Sequence, residues 1–404
     1  MPAQEKWNSN PIKSSTMLSP PCEKAINEAL EYGNAILKFL SPNDVGITGS
    51  HQCGFYLPKS VWKMYTPHAP ERGRLDKHNV IITWPDGRET KSVITWYGQR
   101  TRSEYRLTRF GRDFPYLTAD SVGDLLVLIP ISSAEFHAYV FDLDDDIDAI
   151  LTVLGVEPFE RWGIFHNGVA EIESQDECVD RKTKEFAGQI TSFPDGDAFS
   201  RETRRILEEC LVALSELSAD DVLMKCYDTE YQLFRVVERR VCQPEIVRPF
   251  RNIEDFLKTA SSIMNRRKSR AGRSLENHVD YLLTRAAIPH QMRPTTIDGR
   301  PDVIIPSEEA YHDQSYPIDK LFVVGIKTTC KDRWRQVLNE GRRITRKHIV
   351  TIQQGISSNQ LSEMNTAGVT LVVPRSLHRV YPSNNPATLL NFQEFIDSVK
   401  RKIE

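Results

Sequence analysis

The sequence predicts two domains of different class, a mainly β domain over residues 1–170 and an α/β domain over residues 201–404, joined by a hinge or linker at 171–200. Three observations carry this reading. At 404 residues the chain is longer than one hydrophobic core sustains, since domains usually hold about 100–200 residues. The hydrophobic pattern changes near residue 200, from short strand-like runs to a recurrence every three or four residues. Between the two, 171–200 (EIESQDECVDRKTKEFAGQITSFPDGDAFS) is polar and irregular.

After a polar N-terminal stretch, Ala25, Ile26, Ala29, Leu30, Ala35, Ile36 and Leu37 predict a helix over 23–40 that ends near Ser41-Pro42. Strands are predicted next at 53–57 (CGFYL), 80–84 (VIITW), 92–97 (SVITWY), 125–130 (LLVLIP) and 137–141 (HAYVF). Each is short, rich in β-branched and aromatic side chains, and bounded by Gly, Pro or Asp turn signals. Such a series suits a barrel-like sheet. Amphipathic helices are predicted at 202–217 (ETRRILEECLVALSEL), 253–264 (IEDFLKTASSIM) and 274–287 (SLENHVDYLLTRAA), the last with Ser274 as its N-cap. The segments 302–305 (DVII), 321–326 (LFVVGI) and 369–373 (VTLVV) read as strands of a second sheet, with a helix at 333–347. No internal repeat or low-complexity tract interrupts this order.

A content of 40% hydrophobic and 26% charged residues is ordinary for a globular chain and excludes collagenous, coiled-coil and disordered classes. No apolar run approaches the roughly 18–20 residues of a membrane span. Residues 1–13 (MPAQEKWNSNPIK) lack the apolar segment of a secretory signal, so a soluble, cytoplasmic protein is expected. The seven cysteines (Cys22, Cys53, Cys178, Cys210, Cys226, Cys242 and Cys330) are scattered, without a C-x-x-C pair, and predict neither a disulfide framework nor a structural zinc site. The net charge of -3 gives no global attraction for nucleic acid, so any such affinity must come from local segregation of charge. That segregation is present. Asp142, Asp144, Asp145, Asp146 and Asp148 form an acidic run, while 99–112, 266–273 and 331–347 are dense in Arg and Lys. Three basic stretches in different parts of the chain imply at least two polyanion-facing surfaces.

Asp302 follows Pro301 at the start of one predicted strand, and Lys327 stands just past the apolar run of another. A carboxylate beside a scissile phosphate can hold a divalent cation that polarises the phosphoryl oxygen and helps generate hydroxide, while a nearby ammonium stabilises developing charge. In the common P-D…(D/E)-x-K pattern a second acid lies two residues before the lysine, but here that position is Gly325. Glu340, on the predicted helix that follows, can be turned back toward the strand ends, and Asp302 with Glu340 would suit magnesium, which prefers hard oxygen ligands. By spacing alone the bland alternative stands beside this one: Asp302 as a turn residue and Lys327 as a solvated strand end.

The runs KTTCKDRWRQVLNE (327–340), NRRKSRAGRSLE (265–276), PDVIIPS (301–307), AYHD (310–313) and LVVPRSLHRVYP (371–382) closely resemble the catalytic domain of EcoRII-type type II (type IIE) restriction endonucleases. SPNDVGITGSHQCGFYLP (41–58) and RTRSEYRLTRFG (100–111) resemble that family's effector-DNA-binding domain. The resemblance implies a B3-like pseudobarrel followed by a restriction-endonuclease-like (PD-(D/E)XK) domain. It maps the active-site acid to Asp302, the lysine to Lys327 and the displaced acid to Glu340. It also marks Tyr311 as a candidate catalytic tyrosine, with a packing and hydrogen-bonding role as the alternative, and Glu276 as an upstream acid.

By the same resemblance Lys331, Asp332 and Arg333 form the base-reading triplet. Lys and Arg donate to guanine O6/N7 and a carboxylate accepts from cytosine N4, so a CC/GG core is implied. Arg266, Arg267, Lys268 and Arg270 resemble a backbone clamp. Tyr231 matches the aromatic residue on which relatives stack a flipped central base, while Tyr227 stands where an arginine is expected. In the first domain Arg100, Arg102, Glu104, Arg106 and His51 match DNA-recognition segments, with Tyr105 departing from an expected basic residue.

The function implied is magnesium-dependent cleavage of double-stranded DNA at a CCWGG- or CCNGG-like site by a homodimer joined through its catalytic domains, activated by a second DNA copy at the N-terminal domain. A catalytically inactive two-domain DNA-binding regulator is the alternative. Strand transfer through a covalent Tyr311 adduct ranks last, because the chain shows no recombinase set of paired Arg and His residues.

Overall fold

The computed structural model describes residues 18–47, 54–66, 68–99, 104–111, 114–116, 118–157, 162–170, 176–211, 214–382 and 389–403. It opens with helix α1 (Pro20–Tyr32), whose start is capped by the Ser19 hydroxyl accepting from the Cys22 N–H. Gly33, at φ 66°, stops the helix in a left-handed conformation that costs glycine little. This stop corrects the predicted helix over 23–40, because Ala35, Ile36 and Leu37 lie in strand β1 (Asn34–Phe39) instead.

Eight further strands follow in the first domain: β2 (Phe55–Leu57), β3 (Leu75–Thr83), β4 (Glu89–Tyr97), β5 (Glu104–Thr108), β6 (Leu125–Pro130), β7 (Glu135–Phe141), β8 (Trp162–His166) and β9 (Val169–Ala170). They form one nine-stranded sheet in the order β2-β5-β4-β3-β7-β6-β1-β8-β9, in which β3 and β7 are parallel and the other neighbours antiparallel. Alternating side chains supply two cores. Ile36, Leu126 and Leu128 join Trp84 and Trp96 on one face. Leu37, Leu125 and Val127 pack on the other against α1 and helix α2 (Asp144–Leu154).

The second domain carries helices α3 (Glu177–Gln189), α4 (Gly196–Cys210), α5 (Ala219–Val247), α6 (Ile253–Arg285), α7 (Glu308–His312), α8 (Ser358–Thr366) and α9 (Phe392–Ile403). Its six-stranded sheet runs β10 (Gln291–Met292), β11 (Val303–Ile305), β12 (Phe322–Lys327), β13 (Lys347–Thr351), β14 (Val369–Val372) and β15 (Leu389–Leu390), in that order. The pairs from β10 to β12 are antiparallel and those from β12 to β15 parallel. Val303 and Ile305 face the large helical core, while Ile304 points the other way into a small cluster with Tyr311 and Val323.

Four further expectations are corrected. The α6 helix runs unbroken, so Ser274 is a buried mid-helix residue and not an N-cap. Arg266, Arg267, Lys268, Arg270 and Ala271 favour helix there despite Gly272, and Arg267 and Arg270 anchor that span to Glu238 and Glu157. The predicted helix at 333–347 is only a tight 3₁₀ turn over Arg333–Asn339. It ends because Gly341 takes φ 51° where a Cβ would lie 2.5 Å from Val323 Cγ2, and the chain then enters β13. Much of the polar stretch at 171–200 is α3, whose Val179 and Ala187 are buried in the second domain's core. Packing of α3 on α4 brings Cys178 and Cys210, 32 apart in sequence, into a disulfide that spacing did not predict. Cys22, Cys226, Cys242 and Cys330 are buried free thiols. Among the described residues no helix is long and apolar enough to cross a membrane.

The domains touch through a close backbone approach: a Cβ at Gly123, at φ 84°, would lie 2.0 Å from the Gly355 carbonyl oxygen. Their hydrophobic cores are otherwise separate. Trp84 is 2% exposed, its ring centroid is 4.4 Å from that of Phe114, and its Nε1 donates to Thr90 Oγ1 at 2.9 Å. Trp84→Ala is expected to lower the stability of the first domain by about 3–5 kcal/mol. Hydrogen–deuterium exchange should show protection lost in β3, β4 and β7 and retained in β12 and β13.

Candidate active site

Asp302 leads into β11, and the antiparallel register of Val303 with Val324 sets it beside the end of β12. Its Oδ2 accepts the Ile326 N–H at 2.6 Å and the Lys327 Nζ at 2.7 Å. The backbone contact orients the carboxylate, and the carboxylate in turn orients the ammonium. Lys327 reaches a cleft of about 260 Å³ between the domains, lined also by Leu151, Tyr231, Arg267 and Arg333. The acid and lysine singled out in the sequence are therefore brought together.

The position two residues before Lys327 is closed to an acid for a steric reason. A Cβ at Gly325 would lie 2.8 Å from Val337 Cγ2, leaving no room there for a carboxylate side chain. Glu340 stands instead in extended backbone, φ −89° and ψ 131°, at the end of the 3₁₀ turn and not on a helix as expected. The backbone of Gly299 presses against it, since a Cβ there would lie 2.6 Å from Glu340 Cα. Burial pushes the Glu340 carboxyl up to about 7, with Lys327 opposing the shift and Asp302 adding to it. Its Oε2 is buried without a hydrogen-bond partner. An orphaned carboxylate oxygen that senses Asp302 and Lys327 fits a divalent cation with oxygen preference, so the residues present suit magnesium. Among the described residues no cluster of three or more His, Cys, Asp or Glu side chains is poised to hold a metal, so further ligands would be phosphate oxygen and water. Lys347, also buried beside Glu340, was not singled out by the sequence; its Nζ donates to the Gly341 carbonyl.

Tyr311 is 6% exposed and fully engaged. Its hydroxyl donates to Asp298 Oδ1 at 2.7 Å and accepts from the Arg343 N–H at 3.3 Å. Asp298 also receives the N–H groups of Gly341 and Arg342, at 2.8 and 2.9 Å. Tyr311 thus braces the loop that carries Glu340. Glu276 is paired with Arg293.

The triplet Lys331, Asp332 and Arg333 is covered by acids of the first domain. Lys331, 2% exposed, pairs with Asp124. Asp332 and Asp144 exchange backbone N–H bonds to each other's carboxylates, both at 3.1 Å, and Arg333 N–H adds a bond to Asp144 at 3.2 Å. The Arg333 guanidinium holds Asp145 and Asp148, each at 2.5 Å. Burial raises the Asp144 carboxyl to about 7, with Asp332 adding to the shift.

The other end of α2 meets α6. Arg267 donates to Glu238 at 2.6 Å and to the carbonyls of Thr152 and Val153 at 3.3 and 2.7 Å, a cation at a helix C-terminus. Arg270 pairs with Glu157, its guanidinium 5.2 Å from the Tyr231 ring centroid and 5.5 Å from that of Tyr227. Tyr231 donates its hydroxyl proton to the Gly155 carbonyl at 2.9 Å. Lys268 stands exposed at the cleft. Arg266 departs from the expected clamp: its guanidinium turns to α5, 3.5 Å from Cys242 Sγ, and stacks 4.6 Å from the Phe193 centroid.

In the first domain Arg106 bonds Glu104 at 3.2 Å and lies 4.1 Å above the Tyr56 ring. His51, Arg100 and Arg102 lie outside the described residues. The sequence reading left Asp124 and Glu157 unassigned and registered the acidic run at 142–148 only as charge segregation. The signal was present: a dense acidic run in one domain and a dense basic run in the other invite pairing.

Residues 32–159 match the family described as restriction endonuclease EcoRII, N-terminal, and residues 234–396 match EcoRII C terminal. The type II restriction enzyme EcoRII of Escherichia coli is 32% identical over 381 residues, covering 89% of this chain and 92% of that enzyme. Two solved structures are more distant. Metal-depleted Ecl18kI in complex with uncleaved, modified DNA is 18% identical, with a TM-score of 0.42 over 56% of this chain and 83% of that one. A PspGI–substrate DNA complex is 17% identical, with a TM-score of 0.42 over 52% and 93%. The two family matches fall in order on the two sheets, and the E. coli relative spans both, so the chain belongs to the EcoRII family of type II restriction enzymes.

Proposed function

We propose that the protein hydrolyses duplex DNA at a CC/GG-containing site, CCWGG or CCNGG-like, with magnesium as cofactor, leaving 5′-phosphate and 3′-hydroxyl ends. The observation that carries this is Asp302 bonded to Lys327, which reaches the interdomain cleft, with the orphaned Glu340 carboxylate near enough to feel both charges. Asp302 and Glu340 would hold the ion. Once bound, magnesium polarises the phosphoryl oxygen and eases ionisation of the attacking water. The Lys327 ammonium, aimed by Asp302, stabilises charge that grows on the phosphate, and Tyr311 keeps the Glu340 loop in position.

In this reading Lys331 and Arg333 donate to guanine edges and Asp332 accepts from cytosine N4. Each is occupied by Asp124, Asp144, Asp145 or Asp148, so the closed form cannot read DNA, and α2 acts as a stand-in for the duplex. A second DNA copy bound by the first domain, through His51, Arg100, Arg102, Glu104 and Arg106, favours the open form. A B3-like pseudobarrel is the reading given to the nine-stranded domain. The domain boundary is assigned between Ala170 and Asp176, shorter than the expected hinge. Tyr231, Tyr227 and Arg270 offer stacking surfaces for a flipped central base, with Arg270 supplying the guanidinium absent at 227. Arg267, Lys268 and Arg270 serve as phosphate contacts once α2 leaves. A two-fold site needs two active sites, hence a homodimer through the catalytic domains.

Lys327→Ala should lower magnesium-dependent cutting of plasmids with one, two or three CC(N)GG sites by about 100-fold or more while binding persists. EDTA should abolish cutting by the wild type, and sequenced ends will identify the central base pair. Cutting that survives EDTA would overturn the metal reading. Asp145→Asn with Asp148→Asn should raise the rate on one-site plasmids toward that on several sites. An unchanged ratio between the substrates would count against occlusion of the triplet by α2.

The Asp144 carboxyl sits near 7 when closed against an ordinary value of 3.8. Closing therefore takes up a proton between those values. The closed form loses stability as pH rises through that window and is level above it. Cutting of one-site plasmids relative to several-site plasmids should rise between pH 6 and pH 7, by at most about tenfold per pH unit, and this slope should be absent in Asp144→Asn.

A further inference from the structure

The cysteines of the second domain that meet are the two that solvent reaches. Cys178, in the first turn of α3, is bonded to Cys210, the last residue of α4, and both are partly exposed. Cys22, Cys226, Cys242 and Cys330 are buried, and burial pushes all four thiols up, away from the thiolate that exchange requires.

The disulfide fastens a helix that has little else to hold it. Among the α3 side chains only Val179, Thr183 and Ala187 are buried. The Thr183 hydroxyl is buried without a hydrogen-bond partner, which weakens the docking. An ion pair of Lys182 with Glu209, at 2.8 Å, crosses to α4. Bridging 32 residues, the disulfide favours the docked helix by on the order of 100-fold. α3 is also the first element beyond the domain boundary. While it is docked, residues 171–175 join Ala170 to its cap at Asp176. Once it is released, the join runs over 171–195, to the cap of α4 at Asp195. A join about five times as long lowers the concentration of one domain at the other by about tenfold.

We propose that Cys178–Cys210 is an exchange site for a small thiol of the glutathione class, and that opening it frees α3 and loosens the hold of α2 on the second domain. A glutathione thiolate attacks Cys210 Sγ. The new S–S bond forms as the Cys178–Cys210 bond breaks, and the electron pair leaves on Cys178. Cys178 is the better leaving group because it opens a helix 3.9 Å from Arg181 Nη2, a pull that outweighs Asp176, Glu177 and Asp180, whereas Cys210 ends a helix beside Glu208 and Glu209. A second glutathione then attacks the mixed disulfide. Two glutathione thiols are oxidised to glutathione disulfide, the protein disulfide is reduced to two thiols, and the two protons pass to Cys178 and Cys210. The choice of thiol rests on the nuclease reading above, since an enzyme that meets DNA inside a cell meets glutathione there.

The test is thiol mass-tagging and hydrogen–deuterium exchange of the full chain, without DNA or magnesium, in reduced or oxidised glutathione. The samples are wild type, Cys178→Ser and Cys210→Ser. In oxidised glutathione the wild type should carry no tag on Cys178 or Cys210. In reduced glutathione both should be tagged, and protection of α3 should fall on the order of 100-fold. Protection of the Asp332 and Arg333 N–H groups, which bond Asp144 across the domain interface, should fall by about tenfold. Cys178→Ser should retain glutathione on Cys210, and both variants should show the loosened pattern in either buffer. Equal α3 protection in the two buffers and in the variants would overturn the proposal. So would a disulfide that stays closed in reduced glutathione, or a loosened α3 with the Asp332 and Arg333 N–H groups unchanged. Failure of the nuclease reading shows separately, as no magnesium-dependent plasmid cutting by the wild type in either buffer.

Discussion

A lysine with 3% of its side chain exposed is tolerable only beside a counter-charge, and for Lys331 that charge is Asp124 of the other domain. Removing one partner of such a buried pair typically costs about 3–5 kcal/mol, because the remaining charge is left uncompensated. The Arg333 guanidinium is likewise matched by Asp145 and Asp148, whereas Asp332 and Asp144, both acids, are joined by backbone N–H bonds to each other's carboxylates. The arrangement of the domains follows from these pairings. Three polar side chains that could face base edges face acids in this closed form, and neither domain can withdraw without exposing them to water or to another partner.

Helix α2 meets this constraint at both of its ends. Its N-terminal acids pair with Arg333 and accept the Asp332 and Arg333 backbone N–H groups, and its last carbonyls and the residues after it engage Arg267, Arg270 and Tyr231. One element of the first domain thereby spans two separate stretches of the second. The cleft that remains between them reaches Lys327.

Within the second domain the sheet does the positioning. The antiparallel pairing of β11 with β12 joins Asp302 to Lys327 through a shared carboxylate, and the small side chain at Gly325 makes room for Val337. That packing moves the second acid to Glu340, which close backbone approaches at Gly299 and Gly341 and the Tyr311–Asp298 brace hold in place. Glu340 is buried and unpaired as a result.

Much of this was legible in the residues. Short β-branched runs such as 125–130 became β6, and the apolar run at 321–326 became the centre of β12, because a period of two and a continuous apolar stretch are local properties. Asp302, Lys327 and Glu340 were candidates by residue type and order, and the family resemblance singled them out. The sequence alone indicated many of the strands, though not β1, β8 or β13, together with the chemistry available and the acidic and basic runs. Only the tertiary structure decided where helices stop or continue, at Gly33, across Ser274 and before Gly341, since each outcome depends on what packs against the backbone. It also decided that Cys178 meets Cys210, that Tyr311 braces a loop, and that the acidic run lies on the triplet, because those pairings join residues up to 189 positions apart whose proximity no local pattern encodes.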